Sequence, residues 1–255
     1  MNKFHFVIDK NKKNKKLRKD LLDKYKNYLP HLSDIIVVFG GDGFMLHALK
    51  KYQKFNKPFY GINRGTFGFL MNKYKNYNID ENISKAKAIS ISPLQMKALT
   101  KSGKYFSAIA INEVSLLRQT RQTASLQIKN KDKILIKKLI CDGVLVSTPA
   151  GSTAYNLSVS GPILSLNSKR LAITAISPFR PRRWKGKIIP FSSEITIKNL
   201  NTQKRPVSVV ADNFEVRNIS SVKIKISNLI KFKLFYDRNN SLIKKIKSEQ
   251  IKNKN

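Results

Sequence analysis

The sequence predicts an α/β, Rossmann-like N-terminal half-domain with a parallel sheet, joined to a β-rich C-terminal domain. Three observations carry that expectation. Strand, helix, strand, helix and strand patterns follow one another through residue 63, the order that winds a parallel sheet. The second strand of that series is a continuous apolar run, as a strand covered on both faces requires. From about residue 90 the texture changes to short, β-patterned segments separated by Gly, Asn, Pro and charged turns. The expected division is therefore residues 1–90 for the α/β domain and 91–255 for the β-rich domain, which ends in a helix.

Residues 3–9, KFHFVID, read as the first strand. Residues 16–29, KLRKDLLDKYKNYL, have helical spacing, with Leu17, Leu21, Leu22, Tyr25 and Leu29 on one face. Residues 34–39 form the second strand, and FMLHALKKYQKF at 44–55 is helical again. Pro58 opens a third strand, PFYGIN, and the loop RGTFG follows it. In the second half, segments such as FSAIAINEVSLL, TASLQIKN, KRLAITAIS, SEITIKNL, PVSVVADN, VKIKIS and IKFKLFY supply the strands. The interruption TAYNLSVSG at 153–161 fits a short helix opened by Ser152 and ended at Gly161-Pro162. A basic helix is expected from Ser241, SLIKKIKSEQI, fraying at its end.

Composition limits what such a chain does. With 255 residues and 41% apolar content it can fill a substantial core. No stretch reaches the roughly 18 apolar residues of a membrane span, so a soluble, cytoplasmic protein without membrane engagement is expected. A single cysteine, Cys141, cannot form an internal disulfide, and no Cys/His cluster has zinc spacing. Lys plus Arg number 50 against 15 Asp plus Glu, a formal charge of +35. Such a field attracts polyanions in a salt-dependent way. The surplus is mostly lysine interleaved with Asn and Ile, however, as in NKKNKK, which is the pattern of solvated surface. Arginines cluster only at Arg180, Arg182 and Arg183, so no specific nucleic-acid partner is expected.

Three short constellations point to chemistry. The run IVVFGGDG at 36–43 ends a buried strand in three glycines around Asp42, at the strand end where open α/β sheets place ligands. Gly40, Gly41 and Gly43 let a phosphate approach the backbone ahead of a helix N-terminus. A carboxylate among phosphates would repel them, so Asp42 is read as taking a proton or holding a cation; a simple Gly-Asp-Gly turn is the competing reading. Asn112-Glu113, at the end of FSAIAIN, pairs an amide with an acceptor-only carboxylate, which suits adenine edges and ribose hydroxyls but also an ordinary solvated strand end. The third, CDGVLVSTPAGSTAYNLSVSGPIL at 141–164, runs a strand into a Pro-Ala-Gly loop and a helix start rich in hydroxyls. Tyr155 offers an aromatic face or a phenol to the same place. An ordinary N-cap explains Ser152, but not Asp142, Thr153, Tyr155 and Asn156 together.

GGDG at 40–43, NRGTFGFL at 63–70, NE at 112–113 and DGVLVSTPAGSTAYNLSVSGPIL at 142–164, in that order and spacing, resemble the bacterial NAD kinases over most of the chain. GGDG alone would be weaker, since it also occurs in lipid kinases and phosphofructokinases. The resemblance implies transfer of the terminal phosphoryl group of ATP or polyphosphate to the adenosine-ribose 2'-hydroxyl of NAD, with Mg²⁺, giving NADP. It implies that Asp42 is the general base and that Gly43 lends a backbone contact. Asn112, Glu113, Asp142, Thr153, Ala154, Tyr155, Asn156, Leu157 and Ser158 fall on the family's dinucleotide contacts, and Phe69 and Ala150 join the nucleotide-binding set. It also implies a homotetramer, in which residues near Asp142 reach a neighbouring subunit's dinucleotide. Two departures stand out. Arg64 and Phe67 occupy a loop where Leu is common at the second site, and VVADNFE differs from the family's usual VSxDG form, leaving Asp212 a less certain ribose contact. Two other readings compete: a GGDG-type lipid kinase, which would need neither the NE pair nor TAYNLS, and a basic nucleic-acid-binding protein, which would rest on charge alone.

Overall fold

The computed structural model describes residues 2–11, 15–65, 68–74, 78–237 and Lys245. The helix expected from Ser241, apart from Lys245, and Thr66 and Phe67 of the RGTFG loop lie outside the described residues. Two compact units divide the chain, Met1–Ile91 with Phe232–Asn255, and Ser92–Lys231.

The first unit holds β1 (Phe4–Ile8), α1 (Lys15–Lys24), β2 (Ile35–Gly40), α2 (Asp42–Tyr52), β3 (Phe59–Asn63), α3 (Ile79–Lys85) and β4 (Lys87–Ile91). Its sheet runs β1-β2-β3, then the strand Phe232–Tyr236, then β4. All pairs are parallel except the last. Every residue of β2 is buried, which is why its apolar run is unbroken. Ile35, Val37 and Phe39 join Phe4, Phe6, Leu17, Leu21, Tyr25, Ile79 and Ile83 in one core. By strand alternation Ile36 and Val38, also buried, point to the other side.

Two expectations for this unit need correction. α1 stops at Lys24 rather than running to residue 29, and Leu22 and Leu29 are exposed. The free edge of β1 competes for the chain there: Tyr28 N–H donates to Phe4 O at 2.9 Å and Asn27 Oδ1 accepts from Phe6 N–H at 2.9 Å. Edge amides that would otherwise go unpaired thus draw residues 27–28 out of the helix. Second, the strand Phe232–Tyr236, which the expected division assigns to the β-rich domain, pairs with β3 and β4. Its period-2 pattern is the same in either sheet, so nothing local announced the return.

The second unit contains β5 (Leu94–Thr100), β6 (Tyr105–Ala110), β7 (Glu113–Arg118), β8 (Ala124–Asn130), β9 (Lys133–Cys141), β10 (Gly143–Ser147), α4 (Tyr155–Ser158), β11 (Arg170–Ile176), β12 (Lys187–Pro190), β13 (Glu194–Asn199), β14 (Val207–Ala211), β15 (Phe214–Val216) and β16 (Ile219–Ile226). They form two antiparallel six-stranded sheets, β12-β11-β10-β7-β14-β15 and β6-β5-β16-β13-β8-β9. Residues from both sheets, among them Val114, Leu116, Val144 and Val209 of one and Met96, Leu126, Ile197 and Val222 of the other, form one buried core. Layering of this kind follows from the alternation of each strand, which sends every second residue inward. Among the described residues no helix is long and apolar enough to cross a membrane.

Candidate active site

In the first unit the chain turns at the end of β2, and Asp42 is the first residue of α2, two positions earlier than helical spacing suggested. The helix N-terminus favours a negative charge at that position. Asp42 Oδ2 accepts from Phe69 N–H at 2.6 Å and Oδ1 from Leu70 N–H at 2.9 Å. Burial raises the carboxyl pKa, partly offset by those two amides and by the charge of Lys245. A Cβ on Gly40 would stand 2.7 Å from the Phe44 ring, so that glycine serves internal packing. At Gly41 and Gly43 an added Cβ would meet nothing within 4 Å, and neither has a positive φ. Internal packing therefore does not require glycine at those two positions, which border open space beside Asp42.

The segment Gly68–Met71 is held in turn. Lys245 Nζ donates to Gly68 O at 2.8 Å, Phe69 O at 2.9 Å and Met71 O at 2.6 Å, with the Tyr236 ring centroid 4.6 Å away. Tyr236 Oη also donates to Phe69 O, at 2.6 Å. Sequence reasoning missed both residues. Tyr236 looked like one more alternating strand residue, and Lys245 is one lysine in a lysine-rich tail.

In the second unit, Asn112 and Glu113 form the corner between β6 and β7, with Glu113 opening β7 rather than closing the strand before it. Asp212, at the tip of the β14–β15 hairpin with a φ of 53°, accepts from Ile111 N–H at 2.8 Å and Asn112 N–H at 2.9 Å. The hairpin tip thereby pins the corner. Asn112 Oδ1 and Glu113 Oε2 are buried without a hydrogen-bond partner among the described residues. Burial, and then the Asp212 carboxylate, push the Glu113 pKa up to about 7. Two buried acceptors left open are costly unless a ligand donates to them.

The strand-to-helix segment packs on the same corner. Thr148 N–H donates to Asn112 O at 2.9 Å, Thr148 Oγ1 donates to Ile111 O at 2.7 Å and accepts from Gly151 N–H at 3.1 Å. A Cβ on Gly151 would stand 2.2 Å from Asn112 O, so this approach requires glycine. Ser152 does not cap a helix: it lies in a 3-10 turn, Gly151–Thr153, and its hydroxyl bonds Pro149 O and Leu164 N–H. The helix is a single turn, Tyr155–Ser158. Asn156 is fully buried, its amide donating to Ser152 O and Pro162 O and accepting from Thr174 Oγ1. Tyr155 is half-buried, and its pKa is raised by burial and by the nearby Glu113 and Asp142 charges. Asp142, between β9 and β10, accepts from Arg118 Nε at 2.6 Å.

The structure thus gathers Asn112, Glu113, Asp142, Tyr155 and Asp212 in the second unit. Ala150 and Thr153 are buried in the turn, Ala154 and Leu157 are partly exposed, and Ser158 is exposed. Phe69 sits in the first unit, where its amide serves Asp42. Among the described residues no group of three or more His, Cys, Asp or Glu is arranged to hold a metal.

Comparison with known proteins bears on both units. The ATP-NAD kinase N-terminal domain family matches residues 2–88 and the ATP-NAD kinase C-terminal domain family matches residues 111–233. The chain is 45% identical over 248 residues to the NAD kinase of Brucella suis biovar 1 (strain 1330), covering 97% of this chain and 96% of that one. It is 46% identical over 234 residues to the NAD kinase of Caulobacter vibrioides, covering 92% and 90%. Its fold is similar to that of an Archaeoglobus fulgidus NAD kinase in complex with ATP, with a TM-score of 0.77, 23% identity and coverage of 96% and 99%. The yeast NADH kinase complexed with NADH also has a TM-score of 0.77, at 20% identity, covering 97% and 86%.

Proposed function

The chain belongs to the ATP-NAD kinase family, and from that premise we propose that it transfers the terminal phosphoryl group of ATP to the adenosine-ribose 2'-hydroxyl of NAD, producing NADP. The lipid-kinase and nucleic-acid readings gain no support from these relatives. Polyphosphate as a second donor is a finer proposal, resting on the family resemblance and tested by substituting it for ATP.

Asp42 is the proposed general base. The 2'-oxygen forms a bond to the terminal phosphorus, the bond from that phosphorus to ADP breaks, and the hydroxyl proton passes to Asp42. The observation that carries this is a carboxylate aimed by the Phe69 and Leu70 amides beside glycines with open space. A pKa raised by burial brings the group closer to what a base needs near neutral pH. Gly41 and Gly43 leave the α2 N-terminus accessible to phosphate oxygens.

NAD is proposed to engage the second unit. Asn112 Oδ1 and Glu113 Oε2 offer acceptors to amino and hydroxyl groups. Tyr155 offers its ring, and Thr153, Ala154, Leu157 and Ser158 border the same turn. Asn156 and Asp212, whose side chains are turned inward, act by holding that turn and the Asn112 corner. Mg²⁺ is proposed to arrive as the ATP complex. Each Asp42 oxygen already accepts an amide, which suits a cation held chiefly by phosphates and water rather than by a protein cage. When bound it neutralises charge on the phosphates. A cytoplasmic homotetramer is the proposed assembly, resting on the family resemblance; light scattering that returned 29.1 kDa at working concentration would remove it.

The test of the reaction is Asp42→Asn, assayed with ATP, Mg²⁺ and NAD through an NADP-specific dehydrogenase. The variant keeps the shape but cannot take the proton, and its NH2 faces one of the two amides that now donate to the carboxylate. The kcat should therefore fall by ~10²–10⁴ and the melting temperature by a few degrees for ~1–3 kcal/mol of lost hydrogen bonding, with the NAD KM nearly unchanged. Near-normal turnover would leave Asp42 a turn residue.

A further inference from the structure

Lys245 and Asp42 do not touch; two peptide groups stand between them. In the Gly68–Phe69 peptide, the carbonyl accepts from Lys245 Nζ at 2.8 Å while the amide donates to Asp42 Oδ2 at 2.6 Å. In the Phe69–Leu70 peptide, the carbonyl accepts from Nζ at 2.9 Å and the amide donates to Oδ1 at 2.9 Å. Each peptide dipole lies head to tail between ammonium and carboxylate, and hydrogen-bonded chains of this kind polarise one another. The third Nζ proton goes to Met71 O at 2.6 Å, so the ammonium is fully used on this segment, which the Tyr236 hydroxyl also holds at Phe69 O.

We propose that Lys245 is a positioning residue that aims the Asp42 carboxylate and keeps it ionised through these two peptide groups. Its effect on turnover rests on Asp42 being the base; its effect on the carboxylate does not. The charged and titratable groups facing Nζ are Asp42, Asp237, Lys73 and the Tyr236 phenol. Burial lowers the Lys245 pKa to about 8, against the two carboxylates. The ammonium, which has a proton for each of three carbonyls, prevails below that value. Above it the amine has two protons and no charge, so the hold on the segment weakens and kcat declines as pH rises through about 8.

The experiment compares Lys245→Met, Lys245→Gln and Lys245→Arg with the unsubstituted full chain. The Asp42 carboxyl is titrated by ¹³C NMR on aspartate-labelled protein, its resonance assigned by its loss in Asp42→Asn. Both neutral variants should raise the Asp42 titration by about one pH unit, the lower end of what a neighbouring opposite charge contributes. They should lower kcat by roughly 10–100-fold, leave the NAD KM within about threefold, and lose the alkaline limb. Lys245→Arg, charged at all accessible pH, should largely restore the Asp42 titration while also losing that limb. An Asp42 titration unmoved in Met and Gln variants that remain folded by circular dichroism overturns the proposal. A shifted titration with unchanged kcat upholds the coupling and overturns instead the reading of Asp42 as base.

Discussion

Gly151→Ala tests whether the Asn112–Glu113 corner is set by the turn packed against it. The added Cβ would stand 2.2 Å from Asn112 O, 2.4 Å from its carbonyl carbon and 2.5 Å from its Cα, all backbone atoms that no rotamer change can move. Ordinary contact begins at 3.4 Å, so corner and turn must part by about 1.2 Å. That separation breaks the Thr148 N–H bond to Asn112 O, now 2.9 Å, and strains the amide that Asp212 holds on the corner's other side, also 2.9 Å. Overpacking of this kind costs roughly 1–3 kcal/mol, and each kcal/mol lowers Tm by about 2–4 °C in a chain of this size. Displacing substrate-positioning groups by ~1 Å is worth up to ~10²-fold. The expected outcome is an NAD KM raised about 10–100-fold, with the ATP KM little changed and a lower Tm. The coupled NADP assay and a thermal melt measure both. An unchanged NAD KM with Tm also unchanged would refute the idea that this contact fixes the corner.

Tyr155→Ala removes the half-buried aromatic group beside Glu113 and should raise the NAD KM roughly tenfold or more, from ~1–3 kcal/mol of lost stacking. An unchanged NAD KM would place the dinucleotide elsewhere. Glu113 adds a pH dependence to stability: its folded pKa, about 7, lies above its ordinary 4.5, so the folded chain holds the extra proton between those values. Its contribution is therefore complete below about pH 4.5 and lost as pH rises through 7. Glu113→Gln should flatten the fall in Tm over that window, and a melt series showing identical slopes for both proteins would contradict the assigned burial.

Asp42 was legible because a strand, three glycines and a helix start are consecutive, and their chemistry is that of neighbours in the chain. So were the β2 run, whose apolar residues answer burial on both faces, and the inward alternation of strands such as β5, β13 and β16. The DGVLVSTPAGSTAYNLS stretch announced a site, but not which members would face a ligand. Asn156 and Asp212 turned out to spend their side chains on the protein, and Gly151 on a backbone contact.

The sequence by itself determined the two architectures, the order of most elements, with α3, β4 and β12 the exceptions, and the loop bearing Asp42, because periods of 2 and 3.6 and the backbone freedom of glycine are local properties. Tertiary structure alone decided where α1 ends, which sheet takes Phe232–Tyr236, and how Asp42 and Asn112 are held. Those choices depend on partners far along the chain: Lys245 reaches Gly68 across 177 residues, and Asp212 reaches Ile111 across 101. A lysine among lysines or an aspartate in a turn carries no periodic mark of such a contact. Only when folding closes the chain does the need to satisfy buried carbonyls and amides select that particular residue.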